Sequence, residues 1–267
     1  YDTNLPNIPA NPEEYVAKME ARTDIKKGNA AEIVWIYDSA KQKTKYVLLY
    51  IHGYTASKVE GQPVYQNFGA RYGCNIYAAR LAAQGIDTAE PMLSYTAERM
   101  WQSAKEALAI AEKLGEKVII MSTSTGGTLA FKLAAEFPDK VAALINLSPN
   151  IRPKPWNAYL LNKPWGKQIA GLVLGGDYNI LEKRDTIYEK FWYDKYRIES
   201  LVQMQELVES TMTPETFGRV TCPVLNVFYF KDEQNQDEVI STDKVIWMHN
   251  LLGAEAEKKR LVAVENA

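Results

Sequence analysis

The stretch that most constrains this chain is Met121-Ser122-Thr123-Ser124-Thr125-Gly126-Gly127. It follows the apolar run Val118-Ile119-Ile120 and precedes an apolar, helix-like segment over 128–137. A strand, a very tight turn and a helix leave one serine at the apex of the bend. A hydroxyl is a weak nucleophile, so catalysis requires it to stand clear of the backbone, near a base and near N–H donors for a developing oxyanion. Small residues two before and two after the serine permit so sharp a fold. Here they are Ser122, in place of the more usual glycine, and Gly126. The plainer reading of Ser124 is a helix N-cap in a Ser/Thr-rich turn.

The same alternation continues along the chain. Apolar runs at 33–37, 46–51, 75–79, 118–121, 141–147, 224–230 and 260–264 predict strands. Helices are expected over 64–72, 97–114, 199–209 and 245–252, with glycines closing the second and the last. Asn11-Pro12-Glu13-Glu14 can start a short helix after an extended N-terminal arm. Strands that read as continuous apolar runs, with helices between them, imply an α/β architecture. Its sheet is mostly parallel and twisted, with helices on both faces. Sites in such sheets form beyond the carboxyl ends of the strands.

About 70 residues between Pro149 and Val220 break the rhythm and show no good strand. Following a strand's carboxyl end, they are expected to form a helical cap over the elbow. Their many aromatics, among them Trp156, Trp165, Tyr193 and Tyr196, either line an apolar pocket or fasten the cap to the body. The expected organisation is an arm and short helix over 1–30, a core over 31–149 and 220–267, and a cap over 150–219.

Composition narrows the function. Hydrophobic content of 46% and charged content of 24% are those of an ordinary globular chain, long enough for one large core with an insertion. A net charge of −2 offers no electrostatic case for nucleic acid or an anionic membrane. No apolar run approaches the ~20 residues of a spanning helix. Cys74 and Cys222 form no CxxC and are expected as free thiols. The two histidines lack metal-ligand spacing and no G-x-G-x-x-G follows a strand, so neither a metal nor a dinucleotide cofactor is expected. The chain begins at Tyr1 rather than Met, which fits processing; the compartment, cytoplasmic or exported, stays open.

In order and spacing, three motifs resemble the α/β-hydrolase fold family, especially its capped esterases, lipases and lysophospholipase-like serine hydrolases. They are His52-Gly53-Tyr54-Thr55-Ala56-Ser57, Ser122-Thr123-Ser124-Thr125-Gly126-Gly127 and Asp237-Glu238-Val239-Ile240. The resemblance covers nearly the whole chain from Glu32 onward. It implies Ser124 as nucleophile, the Tyr54 and Thr125 N–H groups as oxyanion donors, and His52, Gly53 and Gly126 as supports of the two turns. It implies Asp237 as the acid that orients the base, with Asp232 as competitor. Arg80-Leu81 resembles the region where the family carries Pro-Gly-His-Gly, and Arg80 is expected to anchor the cap or the oxyanion loop. By the resemblance His52 is structural, and His249 falls on a helix beside the sheet. The base is therefore expected just beyond Ala267, after the last strand. The implied activity is hydrolysis of a small-molecule or lipid ester through an acyl-enzyme, with no cofactor. The alternative is a binding protein on the same scaffold without its base.

Overall fold

The computed structural model describes residues 1–37, 39–181 and 186–266. The elements run α1 (Pro12–Glu20), β1 (Glu32–Val34), β2 (Thr44–Ile51), α2 (Val64–Tyr72), β3 (Asn75–Ala78), α3 (Ala97–Leu114), β4 (Gly115–Thr123), α4 (Thr125–Glu136) and β5 (Val141–Leu147). After them come α5 (Gly166–Leu174), β6 (Tyr178–Ile180), α6 (Thr186–Phe191), β7 (Lys195–Arg197), α7 (Glu199–Thr211), α8 (Pro214–Gly218), β8 (Val224–Tyr229), α9 (Thr242–Leu251) and β9 (Lys259–Val264). Among the described residues the main sheet orders its strands β1-β3-β2-β4-β5-β8-β9. All neighbours are parallel except the edge pair of β1 with β3. This is the expected α/β architecture.

The central strands are buried on both faces, which is why β2 reads as a nearly unbroken apolar run. Val47, Leu49 and Ile51 join Trp101 and Leu108 of α3 and Leu129 and Phe131 of α4 in the larger core. Leu48, Tyr50, Ile76 and Met121 pack on the opposite face with Tyr65 and Phe68 of α2. Alternation along β2 thus divides one apolar run between two layers. The helix α3 starts where the Thr96 hydroxyl accepts a hydrogen bond from the Arg99 N–H at 3.1 Å, a side-chain N-cap. Asn11 caps α1 in the same way through the Glu14 N–H at 3.1 Å.

The N-terminal arm is extended but seated on the body rather than loose. Ile8 is buried, the Trp101 indole donates to Asp2 O at 2.6 Å, and the buried Lys105 ammonium bonds Asp2 Oδ2 at 2.8 Å and Asn4 O at 2.9 Å. Among the described residues Arg80 makes no hydrogen bond to the later insertion or the 52–55 loop. Its guanidinium holds Glu20 of α1 at 2.7 and 3.0 Å, correcting the expectation that it anchors a cap.

Between β5 and β8, helices dominate among the described residues. The segment also contains a two-stranded antiparallel ribbon, β6 with β7, which the sequence reading did not foresee. Three-residue strands are too short to display a period of two. The insertion docks at the carboxyl edge of the main sheet: the Tyr193 N–H donates to Thr55 O at 3.0 Å, and its hydroxyl donates to Ile86 O at 2.6 Å.

Candidate active site

Ser124 lies between the end of β4 and the start of α4, with φ 50° and ψ −119°. A non-glycine residue at positive φ is strained and persists only where its surroundings over-determine it. Here the Ser124 N–H donates to Leu147 O of β5 at 3.0 Å. Its own carbonyl accepts from the Gly127 N–H at 2.8 Å and the Asn150 N–H at 2.9 Å. The bend is closed by contact with β2. A Cβ on Gly126 would strike the Ile51 carbonyl and lie 2.8 Å from His52 O, so only glycine lets α4 start this close to the strand. That approach sets Ser124 beside the loop after β2: a Cβ on Gly53 would lie 3.2 Å from Ser124 Cβ.

Ser122, the departure from glycine, has a partner. Its hydroxyl donates to Asn146 Oδ1 at 2.7 Å, the Asn146 amide donates to Asn226 Oδ1 at 2.9 Å, and the Asn226 amide meets His249 Nδ1 at 3.2 Å. Ser122, Asn146 and Asn226 are strand partners in register and fully buried. Partnered residues on parallel strands share a face, so three polar side chains line up across β4, β5 and β8 and end on α9. His249 is the terminus of this ladder, and burial, then Lys259, lowers its pKa. The readable signal was a polar residue in the middle of each of two apolar strands; the sequence reading passed over both.

His52 is fully buried and both of its ring nitrogens are occupied. The Leu81 N–H donates to Nε2 at 3.1 Å, which requires Nε2 to be unprotonated. Nδ1 therefore carries the hydrogen and donates to Gly53 O at 2.9 Å. Burial depresses the pKa of this ring to about 4, keeping it neutral. The turn continues through Thr55 at φ 63°. The Tyr54 side chain leaves the site: its hydroxyl meets Ser200 Oγ at 2.5 Å, and its ring makes edge contacts with Tyr95 and Tyr196 at 5.3 and 5.4 Å. Its backbone N–H has no acceptor among the described residues. Thr125 opens α4, where an N–H has no intrahelical acceptor and the helix dipole favours negative charge.

One further acid was not found from sequence. Glu60, in a single 3₁₀ turn after the 52–55 loop, accepts the Gly53 N–H on Oε2 at 2.7 Å and the Tyr50 hydroxyl at 3.4 Å. Tyr50 in turn meets Thr123 Oγ1, next to the apex serine, at 3.0 Å. The absent Cβ of Gly53 would lie 3.0 and 3.2 Å from the two Glu60 carboxyl oxygens. Burial raises this carboxyl to about 7, against hydrogen bonds from Gly53, Tyr50 and Trp192 that pull it down.

Asp237 occupies the loop after β8, at the carboxyl edge and two strands from β4. Its Oδ1 accepts the Val239 and Ile240 N–H groups at 2.9 and 3.1 Å, while Oδ2 has no partner among the described residues. No described hydrogen bond joins it to Ser124. The exposed Asp232 closes a local turn, with both oxygens on the Asn235 amide at 2.8 and 2.9 Å; that bond, first of all, lowers its pKa. Ala267, beyond which the base is expected, lies outside the described residues. No cluster of three or more His, Cys, Asp or Glu side chains among the described residues is arranged to hold a metal ion. No described helix is long and apolar enough to cross a membrane.

A serine at a strained strand–helix turn, facing a glycine loop beyond the carboxyl ends of parallel strands, defines a class of fold. Residues 46–202 match the family described as the alpha/beta hydrolase fold, and the chain belongs to that family. No curated protein sequence matches it. Among solved structures it is similar to that reported for LipS and LipT, two metagenome-derived lipolytic enzymes. That likeness has a TM-score of 0.69 at 19% identity and covers 91% of this chain and 89% of the other. The monoacylglycerol lipase of Paleococcus ferrophilus matches at TM-score 0.62 and 14% identity over 89% and 88% of the two chains. A soluble variant of the monoglyceride lipase of Saccharomyces cerevisiae, in complex with a substrate analog, matches at 0.61 and 12% over 87% and 80%.

Proposed function

We propose that the protein is a serine hydrolase that cleaves carboxylic esters carrying an apolar acyl or alcohol group, through an acyl-enzyme on Ser124. The observation that carries this reading is the strained φ of Ser124, held from both sides against the Gly53 loop. In this reading Ser124 Oγ attacks the ester carbonyl. The Tyr54 and Thr125 N–H groups receive the oxyanion, each contributing ~3 kcal/mol to lowering the barrier. Asp237 directs its unpartnered Oδ2 to a histidine following β9, which takes the serine proton and returns it to the leaving alcohol. Neither described histidine suits that role, since His52 is locked in its loop and His249 ends the buried ladder.

Residues 150–219 act as the cap. Between its helices lies an apolar cavity of about 270 Å³, lined by Pro153, Leu160, Leu161, Ile169, Leu201 and Met204 among others. Met204 Sδ lies 3.5 Å from the Asn150 amide, and the Asn150 N–H holds Ser124 O, so this cavity is one residue removed from the elbow. Its wall is aliphatic. The aromatics instead fasten the insertion, as with Tyr193 and Tyr196, or stand exposed, as with Trp156 and Trp165. The lipolytic enzymes and monoacylglycerol lipases that share the fold favour the same substrate class.

The test is hydrolysis of monoacylglycerols and p-nitrophenyl esters by the full-length protein, with fluorophosphonate labelling read by mass spectrometry. Ser124→Ala is expected to lose at least about a thousandfold in kcat/KM and all of the label. Unimpaired turnover by that variant would refute the reading.

A further inference from the structure

The acid that no motif revealed lies across Gly53 from the apex serine. Glu60 and Ser124 flank the same bare face of Gly53: the position a Cβ would occupy there is 3.0 Å from Glu60 Oε1 and 3.2 Å from Ser124 Cβ. Serine and carboxyl are therefore no further apart than those two contacts laid end to end. The carboxyl also accepts the Gly53 N–H, one peptide before the Tyr54 N–H that the oxyanion would use. Through Tyr50 it reaches Thr123, the residue before the serine. A single side chain thus holds the oxyanion loop directly and is linked through Tyr50 to the strand that carries the nucleophile.

We propose that Glu60 is a positioning residue of the oxyanion loop and works in its protonated, neutral form. This rests on the ester-hydrolase reading above. Oε2 accepts from both Gly53 and Tyr50, so the proton belongs on Oε1, the oxygen 3.0 Å from the position of a Gly53 Cβ. Neutral, the carboxyl fixes the Gly53 peptide plane and offers a donor toward the space above the serine. Ionised, it sets a negative charge beside the place where the carbonyl oxygen becomes negative, and that repulsion opposes the step.

Burial favours the neutral form, while the donors that face the carboxyl favour the ionised one. The groups that face the carboxyl are the Gly53 N–H, the Tyr50 hydroxyl on β2 and the Trp192 indole from the insertion. No cation faces it among the described residues: Lys58, on the same turn, is paired with Glu32 at 2.5 Å. Burial is the largest influence and holds the proton on up to about 7.

The experiment follows kcat and KM for a neutral ester, and the rate of fluorophosphonate labelling, between about pH 5 and 9 in the full-length protein. Wild type is expected to lose kcat/KM and labelling rate by about tenfold or more as the pH rises past about 7. Glu60→Gln, whose amide keeps both the acceptor for Gly53 and a donor, is expected to remove that fall. Glu60→Ala is expected to lower kcat at least about tenfold at every pH with KM little changed. Should the alanine variant not fold, the wild-type profile and Glu60→Gln decide the matter. A Glu60→Gln profile that falls with the wild type, a flat wild-type profile, or full kcat in Glu60→Ala would each overturn the role of Glu60 while leaving the serine reading intact. A wild type that neither labels at Ser124 nor turns over would overturn the ester-hydrolase reading, and this role with it.

Discussion

Gly126→Ala isolates the contact that forms the elbow. The added methyl would lie 2.8 Å from His52 O and 2.9 Å from the Ile51 carbonyl carbon, and closer still to the Ile51 oxygen. All three are backbone atoms of β2 and the turn after it, so no side chain can swing aside. Ordinary contact requires roughly 1 Å more room, which must come from moving the start of α4 off the strand. Over-packing of this kind costs about 1–3 kcal/mol, and the better helix propensity of alanine offsets up to about 1 kcal/mol. The same displacement moves Ser124 relative to the Gly53 loop, and an error of about 1 Å in a reacting group costs on the order of 100-fold in rate. Urea denaturation should therefore show a loss of about 1–2 kcal/mol, and fluorophosphonate labelling of Ser124 should slow about 100-fold. Gly218→Ala is the control: its methyl would enter open space, and stability should change by no more than about 0.5 kcal/mol. A Gly126→Ala protein as stable and as quickly labelled as wild type would show that the tight turn does not depend on this contact.

Two further outcomes follow from buried polar groups. Asn226→Leu removes the middle of the ladder and leaves the Asn146 amide and His249 Nδ1 without partners; a loss of about 2–3 kcal/mol is expected in urea, and a neutral result would count against the ladder. The pH dependence of stability carries two opposed slopes. His52, held down to about 4 from 6.5, contributes stability that is present above about 6.5 and is lost as the pH falls toward 4. Glu60, raised from 4.5 to about 7, contributes stability that is present below about 4.5 and is lost as the pH rises toward 7. Each slope is at most about 1.4 kcal/mol per pH unit, so between about 4.5 and 6.5 they largely cancel in wild type. Glu60→Gln should unmask the rise with pH due to His52 over that window; denaturation curves with the same slope in both proteins would contradict the burial of one group or the other.

Much of the fold was legible because its signals are local. Residues 64–72 and 141–147 match α2 and β5 at both ends, since a capped helix and a doubly buried strand each declare themselves in their own sequence. The elbow was legible for the same reason. What could not be read depends on distant partners. Nothing in Lys58-Val59-Glu60-Gly61 marks a part-buried acid, because its partners are the distant Gly53, Tyr50 and Trp192. Arg80 could be seen as a carboxylate binder, but its partner, Glu20, lies on a helix 60 residues earlier. The ribbon of β6 and β7 pairs segments too short to show alternation, and the segment docks through Tyr193 and Tyr196, whose partners Ile86 and Tyr54 lie far away in sequence.

The clasp on Tyr54 ties two events together mechanically. Its ring is wedged between Tyr95 of the body and Tyr196 of the insertion, its hydroxyl is fastened to Ser200 on α7, and the next carbonyl is held by Tyr193. The insertion is not a free door hung on its two ends, because its inner surface is bolted to the Tyr54 side chain and the Thr55 carbonyl of the turn after β2. Any outward movement of this segment therefore pulls on the turn after β2, so the two move as one mechanical unit.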